Sequence, residues 1–231
     1  MTREDTRPRA VVCLSGGMDS TVCAALAARD FEVCALHVSY GQRTEARELR
    51  AAREDAQALA IRRFLHLHTD LFRQIGGSAL TDDSIPVPQT ATPGEAIPVT
   101  YVPFRNAHFL AAAVSWAEVL GARAVYVGAV EQDSSGYPDC RPAYYQAFQQ
   151  LIRAGTREGD IEVKTPLIHL RKWEIVRLGV EEGAPLDVTW SCYQGADQAC
   201  GACDSCVLRL QAFAEAGVQD RIPYVASATE G

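Results

Sequence analysis

The apolar run Ala10-Val11-Val12-Cys13-Leu14 stops at Ser15-Gly16-Gly17-Met18-Asp19-Ser20, and an Ala-rich helical pattern begins where that loop closes. A strand that breaks at two glycines and passes directly into a helix builds an anion site. The glycines let the backbone approach phosphate oxygens, and the free N–H groups and dipole at the helix start favour negative charge. Ser15, Ser20 and Thr21 add hydroxyl donors, so Leu14-Ser15-Gly16-Gly17-Met18-Asp19-Ser20-Thr21-Val22-Cys23-Ala24 is the candidate nucleotide-binding segment. An ordinary N-cap with an acid in the first turn shares part of this pattern; the arrival of strand, glycines, acid and helix in register argues for the site. No Gly-Lys-Ser/Thr follows, so no lysine is placed on the β and γ phosphates as in the loop of kinases and GTPases.

The pattern resembles the pyrophosphatase loop of enzymes that cleave ATP between its α and β phosphates. That resemblance implies adenylation of an acceptor oxygen, release of pyrophosphate, and attack by a nitrogen or sulfur nucleophile. It also implies that Asp19 helps to hold magnesium.

The chain has 231 residues, enough for one large α/β domain with an appendage, and 48% hydrophobic residues can fill its core. A net charge of −7 offers no general attraction to RNA, DNA or anionic lipid. The first ten residues lack an apolar signal core, and Ser115 and Glu118 break the apolar stretch from Phe109 to Leu120. These features predict a soluble cytoplasmic protein without nucleic-acid or membrane partners.

Apolar alternation and helical spacing predict strands at Ala10–Leu14, Glu32–Ser39, Arg63–Leu67, Ala124–Val130 and Ile161–Lys164. Helices are expected over Ser20–Arg29, Thr44–Ala60 (an exposed amphipathic one), Arg105–Leu120, Pro142–Ala154 and Lys172–Glu182. Glycines and prolines between Gly76 and Thr100 predict a long lid or binding loop. Alternating strands and helices predict an α/β fold, Rossmann-like, with a parallel sheet covered on both faces and ligands at the strands' carboxyl ends. The loops starting at Ser15, Ser39, Glu131 and Lys164 belong to that edge. The expected division is a catalytic domain over 8–185 and a metal-binding segment over 186–231 packed on it.

Four of the eight cysteines, Cys192, Cys200, Cys203 and Cys206, lie within fifteen residues. Their spacing can wrap a tetrahedral ion, for which zinc is the natural occupant, and four thiolates leave no open position. Gly201 eases the turn between ligands, and Cys206 leads into a helix from Val207 to Glu215. An iron–sulfur cluster also takes four cysteines, and spacing alone leaves it open. Cys13, Cys23 and Cys34 read as small core residues, whereas Cys140 lies in a loop at the expected active edge and is a candidate for a covalent role.

Seven segments together resemble the 7-cyano-7-deazaguanine synthase family. They are the Ser15–Ser20 loop, Tyr40-Gly41-Gln42-Arg43, Asp83-Ser84-Ile85-Pro86-Val87-Pro88, Val102-Pro103-Phe104-Arg105-Asn106, Ser135 to Arg141, Thr165-Pro166-Leu167, and the cysteine cluster. The likeness runs from about Val11 to Arg209. It implies conversion of 7-carboxy-7-deazaguanine to the nitrile with ammonia and ATP in queuosine biosynthesis, bound zinc, and often a homodimer. Two positions depart from the family pattern: Thr44 stands where a His is common, and Phe104 where a Gly is common.

Turning a carboxylate into a nitrile removes two oxygens, each a poor leaving group. Each can be activated as an adenylate, first acid to amide, then amide to nitrile. Asp19, Lys172 and Arg105 are the catalytic candidates, Lys172 as a cation for the α-phosphate or pyrophosphate and Arg105 as a clamp for a phosphate or the substrate carboxylate. Glu131, Tyr137, Asp139 and Arg141 are the substrate candidates: Asp139 or Glu131 accepts from the base edge, and Tyr137 or Phe104 stacks on it. Competing readings are another adenylating amidotransferase or thiolase, an enzyme attaching an adenylated deazapurine to a macromolecule, and a zinc-stabilised ATP sensor.

Overall fold

In the computed structural model, which describes residues 6–87, 97–131, 137–195 and 197–225, five strands form one parallel sheet in the order β3-β2-β1-β4-β5. They are β1 (Arg9–Cys13), β2 (Glu32–Ser39), β3 (Arg63–His68), β4 (Ala124–Tyr126) and β5 (Glu162–Lys164). Period-two alternation divides the core. Ala10, Val12, Val33, Ala35, Ala124 and Tyr126 face one layer of helices, while Val11, Cys34, Leu36 and Val125 face the other.

The first layer holds α1 (Met18–Asp30), α2 (Glu45–Ala58), α6 (Lys172–Glu181) and α7 (Asp204–Ala216); the second holds α4 (Arg105–Leu120) and α5 (Pro142–Gly155). A short helix, α3 (Leu71–Ile75), follows β3. The chain builds β1, β2 and β3 outward on one side and then crosses back to place β4 on the other side of β1. That reversal opens a crevice at the carboxyl ends of β1 and β4, where ligands bind in open α/β sheets.

Several boundaries differ from the sequence reading. Strand β4 stops at Tyr126, not Val130, because after Val127 N–H reaches the Lys164 carbonyl the chain turns at Gly128 to lie against α1. Helix α1 starts two residues before Ser20, and α7 starts at Asp204, which places Cys206 inside its first turn. Helix α2 is amphipathic, as its pattern predicts, with one face exposed and the other buried. Ala51, Ala52, Asp55 and Ala56 are buried beneath the Ser15 loop and the C-terminal segment. Pro88, Pro93, Gly94 and residues 132–136, which include Ser135, lie outside the described residues; 76–87 and 97–100 contain neither helix nor strand.

Candidate active site

The Ser15 loop is a close-approach structure. Gly16 has φ +86°, and a Cβ there would sit 2.5 Å from the Glu48 carbonyl oxygen and 2.8 Å from Ala52 N. Gly128 is under the same pressure from the other side, since its Cβ would lie 2.7 Å from the Asp19 carbonyl carbon. Two missing side chains therefore let α2 and the β4 loop close on the start of α1. The loop holds its own shape: Ser15 N–H donates to Ser20 Oγ (3.1 Å), Gly17 N–H to Ser15 Oγ (3.2 Å), and Ser20 Oγ to the Gly17 carbonyl (2.8 Å). No side chain caps α1 at Gly17, so the first backbone N–H groups of the helix are left to a ligand in the crevice, beside Asp19 in the same first turn. Beneath it, Thr21 Oγ1 donates to Asp55 Oδ2 at 2.7 Å, and burial pushes the Asp55 carboxyl up to about 8.

Asp19 and Lys172 meet here, Nζ to Oδ2 at 2.7 Å, with both side chains about three-quarters buried (25% and 22% exposed). Asp19 Oδ1 is buried with no hydrogen-bond partner among the described residues. A carboxylate with one oxygen on a cation and the other empty suits a hard divalent ion carrying phosphate, so magnesium fits this position.

The crevice is a cleft of about 380 Å³, within the usual range for small-molecule sites. Its opposite wall carries Tyr40, Arg105, Asn106, Tyr137 and Cys140. Arg105 Nη1 donates to Tyr40 Oη at 3.0 Å, and its guanidinium lies 5.4 Å from the Tyr40 ring centre and 5.6 Å from that of Phe109. Its Nε is buried and unpartnered among the described residues, so this cation is prepared for an anion that the protein does not supply. Burial pushes the Tyr40 phenol up to about 12, which keeps it protonated.

Asp139 is 3% exposed and sits behind this wall. Its Oδ2 accepts the Asn106 N–H at 3.3 Å at the start of α4, Asn106 Nδ2 donates back to the Asp139 carbonyl at 3.2 Å, and Oδ1 has no partner among the described residues. Burial raises the Asp139 carboxyl above its ordinary range. Tyr137 lines the cleft, its hydroxyl 2.7 Å from Thr100 Oγ1. Glu131, 3.6 Å from His169 Nδ1, and Arg141 are exposed and away from the cleft wall. Phe104 is 60% exposed and also off that wall.

The structure adds cleft residues that the sequence reading did not single out. Glu48 accepts from Thr44 Oγ1 (2.7 Å) and Gln42 Nε2 (2.9 Å). Trp190 donates its N–H to the Gly16 carbonyl at 2.7 Å, which brings the C-terminal segment onto the nucleotide loop. His37, held near 4 by burial, lies under the loop with Nδ1 2.9 Å from the Leu14 carbonyl. A Thr four residues before a Glu was the only sequence signal for Glu48.

The Sγ atoms of Cys192, Cys200, Cys203 and Cys206 all lie within 4.8 Å of one another, and Cys200 to Cys206 is 3.9 Å. Zinc–sulfur bonds of about 2.3 Å in a tetrahedron place sulfurs at about 3.8 Å, so the four side chains already fit one ion. Hydrogen bonds from the Cys203 and Cys206 thiols, and then from the Cys200 and Gln194 amides, hold the Cys192 thiol far below its ordinary value. Gly195 N–H also reaches Cys192 Sγ, at 3.1 Å.

Residues 9–217 match the family described as queuosine biosynthesis protein QueC. The chain is 72% identical to the 7-cyano-7-deazaguanine synthase of Acidobacterium capsulatum, covering 94% of this chain and 97% of that one. It is 64% identical to the enzyme of the same name from Koribacter versatilis, covering 94% and 93%. Among solved structures, the U34-tRNA thiolase NcsA from Methanococcus maripaludis aligns with a TM-score of 0.50 at 14% identity, over 90% of this chain and 64% of that one. At that identity the likeness is one of fold.

Proposed function

The chain belongs to the queuosine biosynthesis protein QueC family, and from that premise we propose how its cleft makes 7-cyano-7-deazaguanine: by adenylating 7-carboxy-7-deazaguanine, admitting ammonia, and adenylating the resulting amide. The observation that carries this reading is the Asp19–Lys172 pair at the uncapped start of α1, with one Asp19 oxygen unfilled. ATP lies with its phosphates on the Ser15 loop. Lys172 balances charge as pyrophosphate departs, and Asp19 would hold magnesium, which neutralises phosphate oxygens.

Arg105 faces the same cleft with an unused donor and takes the substrate carboxylate, turning one oxygen toward the α-phosphorus. Tyr137, which lines the cleft, supplies the stacking face for the base, and the sequence-predicted base reader Asp139 lies behind it, where it holds Asn106 at the start of α4. Both steps use one loop, since acid and amide each present an oxygen on the same carbon.

The four cysteines hold zinc in a structural role. A four-iron cluster takes one cysteine on each of four separate irons, which spreads the sulfurs farther than ligands of a single ion. Their mutual distances support the single ion. Among the described residues no helix is long and apolar enough to cross a membrane; a cytoplasmic homodimer acting on a small molecule, without nucleic acid, completes the proposal.

Mass spectrometry of a reaction holding 7-carboxy-7-deazaguanine, ammonia, ATP and magnesium tests it. The nitrile with AMP and pyrophosphate is expected, with the amide appearing transiently. ADP and orthophosphate as primary products, or a base attached only to a macromolecular acceptor, would refute it.

A further inference from the structure

Nitrogen enters the proposed reaction as ammonia and leaves as a nitrile, so all three of its N–H bonds must break at one carbon. Among the described residues the cleft wall carries three carboxyl side chains, Asp19, Glu48 and Asp204. Asp19 is engaged by Lys172, and Asp204 adjoins the cysteine cluster at the start of α7. Glu48 stands apart from both.

Glu48 sits in the first turn of α2, and its carbonyl oxygen is the atom that the Gly16 loop packs against. It therefore borders the nucleotide loop, while the charge of Arg105, from the opposite wall, still reaches it. Thr44 Oγ1 donates to one carboxylate oxygen at 2.7 Å and Gln42 Nε2 to the other at 2.9 Å. Gln42 is itself fixed, because its Oε1 accepts the Tyr40 N–H at 2.9 Å. Each carboxylate oxygen keeps a lone pair beyond its protein donor. No Lys or Arg lies within ion-pair distance of Glu48 among the described residues.

We propose that Glu48 is the proton acceptor for the nitrogen that enters the cleft, and that Thr44 and Gln42 hold its carboxylate toward that nitrogen. The inference rests on the adenylation reading of the cleft. In the amide-forming step the ammonia lone pair bonds to the acyl carbon, the carbon–oxygen bond to AMP breaks with its electrons on the phosphate oxygen, and one nitrogen proton passes to Glu48. In the nitrile-forming steps the amide oxygen bonds to the α-phosphorus as pyrophosphate leaves and one N–H proton is lost. The second N–H then breaks as AMP departs, its electron pair completing the carbon–nitrogen triple bond. Glu48 returns each proton to solvent between steps.

The groups facing Glu48 are Thr44, Gln42, Arg105 from α4, Tyr40 after β2, and Glu45 on its own helix. Burial raises its carboxyl and the Thr44 and Gln42 donors oppose that rise, so amide formation should increase with pH through its titration.

The test uses the full-length, metal-loaded chain and its Glu48→Gln variant. Exchange of labelled pyrophosphate into ATP, driven by the deazaguanine acid without ammonia, should stay within about threefold of the unaltered chain, while amide formation falls by about 10²–10⁴-fold. Amide formation that stays within threefold, or an equal loss of exchange and amide formation, would overturn the proposal. Absence of exchange in the unaltered chain would overturn the adenylation reading itself, and this inference with it. Should Glu48→Gln fail to fold, Thr44→Val decides. Removing that donor should move the acid limb of amide formation to higher pH, and an unmoved limb would refute the role.

Discussion

The main-chain N–H of Trp190 donates to the carbonyl of Gly16 at 2.7 Å, which ties the nucleotide loop to a residue two positions from Cys192 of the cysteine cluster. Arg209 braces the same segment, donating to Thr189 Oγ1 (2.7 Å), the Leu186 carbonyl (3.0 Å) and both oxygens of Asp220. The cysteine cluster is thus a clamp on the loop as well as a local staple.

Cys203→Ser, or chelation of the metal, should lower stability by about 3 kcal/mol or more, a drop of roughly 6–12 °C in Tm for a domain of this size. The KM for ATP should rise as Trp190 loses its position, with the base KM less affected. Thermal melting, metal analysis and initial rates check this. A variant without metal but with unchanged Tm and ATP KM would show the clamp to be idle.

At the Asp19–Lys172 pair, Asp19→Ala should abolish turnover with the fold intact, because the unfilled oxygen proposed to hold magnesium is lost. Lys172→Met should reduce kcat by about 10²–10³-fold, the usual cost of removing one donor from a developing charge. Near-normal kcat in either variant, with circular dichroism unchanged, would remove that residue from the mechanism.

Phe104 occupies left-handed backbone (φ +57°) at the start of α4, a conformation that only Gly adopts without cost. Its ring is 60% exposed, so Phe104→Gly gives up little burial while relieving an unfavourable φ. The expected result is a gain of about 0.5–1 kcal/mol, with the KM for the deazaguanine acid unchanged; denaturant unfolding and steady-state rates measure both. A several-fold change in that KM would mean that Phe104 reaches the substrate after all.

Asp55 is fully buried, and its carboxyl lies near 8, well above its unfolded value. The folded state therefore holds a proton between about pH 4 and 8 that the unfolded chain has released, and stability falls as pH rises through that window. Asp55→Asn cannot titrate. The stability difference, variant minus unaltered chain, should grow from pH 4 to pH 8 and then level off; parallel curves from denaturant unfolding would contradict the buried neutral carboxyl.

The sheet and the loop were legible because both are written in short local patterns. Alternation separates Val11 from Ala10 and Val12, and two glycines after an apolar run mark the loop. Long-range closure was not. Asp19 and Lys172 stand 153 residues apart, and no local period announces that their side chains meet. Helix α2 reads as amphipathic, but its sequence does not say what covers the apolar face: Ala51 packs with Trp190 and Cys192, residues that reach it only once the chain has folded back. Val127 to Val130 continue the apolar character of β4, and only contact between Gly128 and α1 ends the strand early. Glu48 was hidden for the same reason, since its role depends on a cleft assembled from distant segments.

The central claim, that the Ser15 loop activates the substrate oxygens on the α-phosphorus of ATP, is tested most directly by isotope transfer. 7-Carboxy-7-deazaguanine carrying heavy oxygen at both carboxylate positions is converted to the nitrile with unlabelled ATP, ammonia and magnesium, and the phosphorus products are weighed. Two molecules of AMP, each with one heavy oxygen, and unlabelled pyrophosphate are the predicted result. Heavy oxygen in orthophosphate, with ADP as the nucleotide, would contradict the account.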